Sequence, residues 1–173
     1  MNETAPVPDV ALHVAERLRT LSGVAAVVLG GSVARGDADA RSDVDLGLYY
    51  DPARPFAIPA LREVARELDD RHQADLVTDF GGWGPWINGG GWLVIGGTRV
   101  DWLYRDLTKV GVVVADCLDG RYATYYQPGH PTRFTRTCTW PRSTTGACWS
   151  IARAASPRCR RARCPIRPGC ERP

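Results

Sequence analysis

Asp43-Val44-Asp45 and, upstream of it, Gly30-Gly31-Ser32 are the residues of this chain whose types and spacing suit chemistry. On a strand, Asp43 and Asp45 leave the same face about 7 Å apart. Val44, Leu46 and Leu48 then point to the opposite, apolar side. Two such carboxylates repel unless a cation lies between them. Hard divalent ions such as Mg2+ are held by one or two carboxylates together with substrate phosphates. The glycine pair complements the acids: Gly30 and Gly31 let backbone approach a ligand closely, and amides at a helix start favour phosphate. Ser32 adds a hydroxyl donor and a candidate cap for a short helix, and Arg35 can meet a phosphate. A third acid, Asp101, stands alone in the apolar run Val100-Asp101-Trp102-Leu103-Tyr104. A bare carboxylate in a buried strand is costly without a partner. A cation shared with Asp43 and Asp45 would meet that cost. The plainer alternatives are a surface pair of Asp101 with Arg99 or Arg105, and a polar turn carrying two solvated aspartates.

The elements that must position these residues follow from periodicity. Asp9 is placed to cap a first helix, with Val10, Val14, Leu18 and Leu21 at near-helical spacing and Gly23 past its end. The continuous apolar run from Val24 to Leu29 predicts a strand buried on both sides. In the polar stretch before Asp43, Asp37 and Asp39 read as surface acids and Arg41 as solvated. The second strand ends at Asp51-Pro52. Pro59 suits the first turn of a helix carrying Leu61, Val64, Ala65 and Leu68 on one face, with Glu63 and Glu67 solvated. Ala74 to Thr78 reads as a short third strand. Phe80 to Gly91 is a glycine-rich loop whose Trp83 and Trp86 either stack on a nucleobase or acceptor ring or cover the sheet edge. Trp92 to Ile95 and Arg99 to Tyr104 flank a hairpin turn, Gly96-Gly97-Thr98. Asp106 caps a helix from Leu107 to Leu118, although Val112-Val113-Val114 would equally suit a strand. Tyr122 to Tyr126 reads as extended and residues 127–131 as a turn. The pattern is that of an α+β domain, a mixed sheet of about five strands with helices mostly on one face and the acids on the other.

Gly31-Ser32, followed about ten residues later by Asp43-Val44-Asp45, resembles the signature of the nucleotidyltransferase superfamily that includes DNA polymerase beta. It is most similar to the small bacterial nucleotidyltransferase-domain proteins and to aminoglycoside nucleotidyltransferases. The resemblance implies that Gly30, Gly31 and Ser32 hold nucleotide phosphates. It implies that Asp43 and Asp45 bind Mg2+, and that a third acid from a later strand, matched here by Asp101, binds a second ion or serves as base. The implied reaction moves a nucleoside monophosphate from a nucleoside triphosphate to an acceptor hydroxyl and releases pyrophosphate. The acceptor is left open among small molecule, protein and RNA. Two rivals accompany this expectation: an antitoxin of the minimal nucleotidyltransferase type with a toxin partner, and a non-catalytic nucleotide-binding remnant.

The chain has 173 residues, enough for one domain with a real core. No stretch is long and apolar enough to span a membrane, and the acidic start MNETAPVPDV lacks a basic-then-apolar leader. The expected compartment is the cytoplasm. The net charge of +3 hides a split. Residues 1–130 carry 12 Lys+Arg against 18 Asp+Glu, whereas residues 131–173 carry 10 Arg against Glu171 alone. Cys138, Cys148, Cys159, Cys164 and Cys170 also lie in the second part, without a Cys-x-x-Cys pair to suggest zinc. That part has no leucine or valine and cannot bury enough to offset its ordering entropy. The expectation is a catalytic domain over 1–130 and a basic tail over 131–173, disordered or read out of frame, with a polyanion-binding tail as the competing reading.

Overall fold

The computed structural model describes residues 7–121 together with residues 124–125 and 134–135. The elements in order are α1 (Asp9–Leu18), β1 (Val24–Leu29), α2 (Gly31–Arg35), β2 (Val44–Tyr50), α3 (Ile58–Leu68), β3 (Gly90–Ile95), β4 (Thr98–Asp106), α4 (Leu107–Leu118), β5 (Thr124–Tyr125) and β6 (Phe134–Thr135). The expected mixed α/β class holds. Four strands form the main sheet in the order β1-β2-β4-β3, with β5 and β6 paired separately. β2 and β4 run parallel at its centre, and β1 and β3 flank them antiparallel. Among the described residues no helix is long and apolar enough to cross a membrane.

Alternation builds the sheet. Along β2 the side chains of Val44, Leu46, Leu48 and Tyr50 are buried, and the residues between them are half-buried. Along β4, Val100, Trp102 and Tyr104 do the same. α1 contributes Ala11, Val14, Ala15 and Leu18 to this core, and α3 contributes Ile58, Leu61, Val64 and Ala65. An ion pair from Arg17 to Glu67 ties the two helices together. Tyr50, Phe56, Phe80 and Tyr104 pack as an aromatic cluster with ring centroids 4.9 to 5.5 Å apart. The opposite face of the sheet is left for the acids.

Several local expectations change. Asp9 is the first residue of α1, not its cap, and Pro8 precedes it. Its charge still suits a helix N-terminus. β1 is not buried on both sides: only Val27 is fully buried, because β1 is an edge strand. The expected strand from Ala74 to Thr78 shrinks to a single bridge, Val77 to Gly91. Asp75 has a φ of 61° there, which breaks the extended chain. The main sheet therefore has one strand fewer than expected. Asp106 does cap α4, its carboxylate accepting from the amides of Thr108 at 2.8 Å and Lys109 at 3.2 Å. Residues 127–131 lie outside the described residues, as does the tail apart from Phe134–Thr135.

Asp69, fully buried at the end of α3, locks the helix to the sheet. It accepts from the amides of Val94 at 2.9 Å and Arg71 at 3.0 Å. Burial alone would raise its carboxyl, but the Val94 amide and Arg71 hold it below the usual range. Asp70 next to it accepts from the amides of Gly96 and Gly97, each at 2.8 Å, and so clamps the β3–β4 turn. Asp69→Ala strands the Val94 amide and should cost about 2–3 kcal/mol, to be read from urea unfolding. A loss below about 0.5 kcal/mol would show that the anchor is dispensable.

Candidate active site

The parallel pairing of β2 with β4 sets Asp45 directly beside Asp101, just as it sets Val44 beside Val100 and Leu46 beside Trp102. Neighbouring strands lie about 4.8 Å apart, and paired residues share a face. Since Val44, Val100, Leu46 and Trp102 face the core, Asp45 and Asp101 project from the other side. Asp43 falls one residue before β2, not within it. It is anchored by an ion pair with Arg99, which also donates to the carbonyl of Arg41. Arg99 thus belongs to Asp43, and the alternative pairing of Asp101 with Arg99 is not the one formed.

The glycine turn meets the acid row from the β1 side. The Gly30 amide donates to the Asp45 carbonyl at 2.8 Å, so this amide is already used by the sheet. Gly31 follows with a φ of 62°, and a Cβ on it would lie 1.7 Å from Oδ2 of Asp45. The Asp45 carboxylate therefore rests against the bare Cα of Gly31. Ser32 does not cap α2: the cap position is Gly30, and no side chain bonds to the helix start. Arg35 sits in the last turn of α2 and pairs with Asp37 at 3.2 Å. Asp39 is a surface acid as expected, held below the usual carboxylate range by the Arg41 amide and the Ser42 hydroxyl.

The electrostatics of the row single out Asp101. Its carboxyl is pushed up to about 6, first by burial, then by the charges of Asp45 and Asp43, with Arg99 pulling the other way. Such strain marks a place where a cation would be favourable. The donor set is all carboxylate, which suits a hard divalent ion. Among the described residues, however, no group of three or more His, Cys, Asp or Glu side chains is gathered closely enough to hold a metal as it stands. Asp45 and Asp101 fit such an ion by position and chemistry. Asp43 is engaged by Arg99 instead.

One residue of this face was missed. Trp92 pairs with Asp101 across the β3–β4 ladder, so the row reads Asp45, Asp101, Trp92. Trp92 is 59% exposed, and Trp83 stacks on it with centroids 4.6 Å apart at 28°. The signal lay in the turn. A loop of Gly96-Gly97-Thr98 would set Trp92 opposite the core residue Trp102. The turn formed is Gly96-Gly97 alone, with φ of 57° and 76°, which pairs Ile95 with Thr98. A slip of one residue flips every side chain to the other face.

In this mixed sheet a glycine turn is pressed against a row of carboxylates. Residues 13–81 match the family model of the nucleotidyltransferase domain. That stretch runs from α1 through the glycine turn and the Asp43–Asp45 pair, and over it the chain is similar to the nucleotidyltransferase superfamily. The match ends before Asp101, whose place beside Asp45 comes from strand register alone. No curated protein matches the chain.

Proposed function

We propose that this protein is a Mg2+-dependent nucleotidyltransferase that moves a nucleoside monophosphate from a nucleoside triphosphate to an acceptor hydroxyl. The observation that carries this reading is the register of Asp45 with Asp101, beside the Gly31 turn. Asp43, Asp45 and Asp101 would hold Mg2+, which would supply charge neutralisation for the triphosphate. Gly31 and Ser32 have amides in the first turn of α2 without intrahelical acceptors, and with Gly30 they would line the phosphates. The acceptor oxygen attacks the α-phosphorus in line, and the bond from that phosphorus to the bridging oxygen breaks. Pyrophosphate leaves with the electron pair, and the acceptor proton passes to the carboxylate of Asp101. Positioning and charge do most of the work, as in phosphoryl transfer generally. A cytoplasmic setting, where triphosphates are made, fits this chemistry.

The test is a screen of labelled nucleoside triphosphates with Mg2+, following pyrophosphate release. Asp45→Asn should abolish release while leaving the melting temperature near that of wild type. Turnover unchanged in that variant would end the proposal. One observation favours a second reading, a nucleotide-binding remnant: Arg99 already neutralises Asp43. Nucleotide binding by wild type without any pyrophosphate release would support it.

A further inference from the structure

The geometry points to a stacking platform for the acceptor, formed by Trp92 backed by Trp83, that takes a hydroxylated ring compound beside Asp101. This inference rests on the transferase reading. Its basis is the order of residues across the sheet. The glycine turn touches Asp45, Asp45 neighbours Asp101, and Asp101 neighbours Trp92. A triphosphate held at the turn lies at the Asp45 end of the row. The tryptophans lie at the other end, past the carboxylate that would take the acceptor proton. A nucleobase must follow its phosphates, whereas the acceptor must arrive from the Asp101 side.

The two indoles pack as a unit. Trp83 belongs to the loop before β3, yet its ring lies over Gly90, where a Cβ would meet it at 2.7 Å. The Trp102 carbonyl, 1.9 Å from such a Cβ, already requires glycine at 90, and the indole fills the space this leaves as it stacks on Trp92. One neighbour thus fixes Trp92, while more than half of it remains in water. An indole that large left exposed in the middle of a strand gains nothing for the core. A second indole fixing its orientation lowers the entropy a ligand ring must otherwise overcome. Flat rings gain on such faces through dispersion and stacking. Covering the edge strand β3 would need no such exposure.

The experiment is calorimetric titration of the full chain with two ring probes, phenyl β-D-glucoside and tyramine, and with sorbitol as an acyclic control. Each is measured with Mg2+ and the non-hydrolysable α,β-methylene-ATP, and also without nucleotide. Wild type is expected to bind at least one ring probe more tightly than sorbitol. Trp92→Ala should weaken that probe about tenfold with the affinity for α,β-methylene-ATP changed less than threefold. Trp92→Phe should restore most of the probe affinity. Loss of nucleotide affinity in Trp92→Ala would make the pair a base-binding face and overturn the inference. Equal probe binding by wild type and Trp92→Ala, or ring probes no better than sorbitol, would overturn it as well. If wild type binds no nucleotide, the transferase reading falls by itself, and the titrations without nucleotide still decide the platform.

Discussion

Gly31→Ala is expected to lower nucleotidyl transfer about a hundredfold or more while costing only about 1–2 kcal/mol of stability. Two penalties arise at this position, and they act on different properties. The first is the backbone: φ is 62°, a left-handed conformation that disfavours any side chain, and this term is paid in folding. The second is contact: the new methyl would lie 1.7 Å from Oδ2 of Asp45 and 2.7 Å from its Cγ. A short polar side chain yields more readily than a strand, so the clash is relieved by turning the Asp45 carboxylate away. Folding survives that movement, but the site loses the group that touches both the turn and Asp101. Gly36→Ala separates the two terms. Gly36 closes the same short helix with a φ of 77°, and nothing lies within 4 Å of its would-be Cβ. It should show the stability loss alone. Melting temperature, pyrophosphate release and calorimetric binding of α,β-methylene-ATP with Mg2+ would be measured on both variants. Equal activity in the two would mean that the contact with Asp45 has no consequence.

The contrast between these glycines also shows which parts of the molecule can be read from its sequence. Local periodicity was legible. The alternation of Val44, Leu46 and Leu48 placed Asp45 on the face opposite the core, the Pro59 helix buries the face expected of it, and Asp106 caps α4. What depends on neighbours distant in sequence was not legible. Val24–Leu29 looks like a central strand because it is uniformly apolar, yet its place at the sheet edge leaves it mostly half-buried. Ser32 has the composition of a cap, but the turn already gives that position to Gly30. Arg99 could have served Asp101 or solvent; only the fold shows that its guanidinium goes to Asp43 and the Arg41 carbonyl. Trp92 depended on the length of one turn, since a residue more or less there decides whether it stands beside Asp101 or in the core. The full burial of Asp69 beneath the Val94 amide likewise needs the β3 strand to be in place.

Asp101→Asn is expected to stabilise the metal-free protein at pH 8 and at the same time to abolish transfer. The sign follows from the direction of the shift. The Asp101 carboxyl is pushed up to about 6 in the folded state, by burial first and then by Asp45 and Asp43, against about 3.9 in an unfolded chain. A raised value means that the fold prefers the neutral acid. Below about pH 4 the acid is neutral in both states, and it costs the fold nothing relative to asparagine. As the pH rises through about 6 the unfolded chain gives up its proton more readily, and the native state loses stability until the carboxylate is charged in both. Two units would correspond to about 3 kcal/mol; with solvent screening at a partly exposed site, about 1–2 kcal/mol is expected. Asparagine removes this cost, so thermal melting without metal should be higher in the variant at pH 8 and equal at pH 4. Mg2+ should reverse the order, stabilising wild type far more than the variant because a cation relieves the repulsion only where a charge stands. In wild type, transfer should rise with pH through a midpoint at or below about 6, since bound Mg2+ favours the carboxylate. A variant that melts below wild type at pH 8 without metal would mean that Asp101 is already satisfied by the protein. The row of acids would then be an ordinary surface, with no call on a cation.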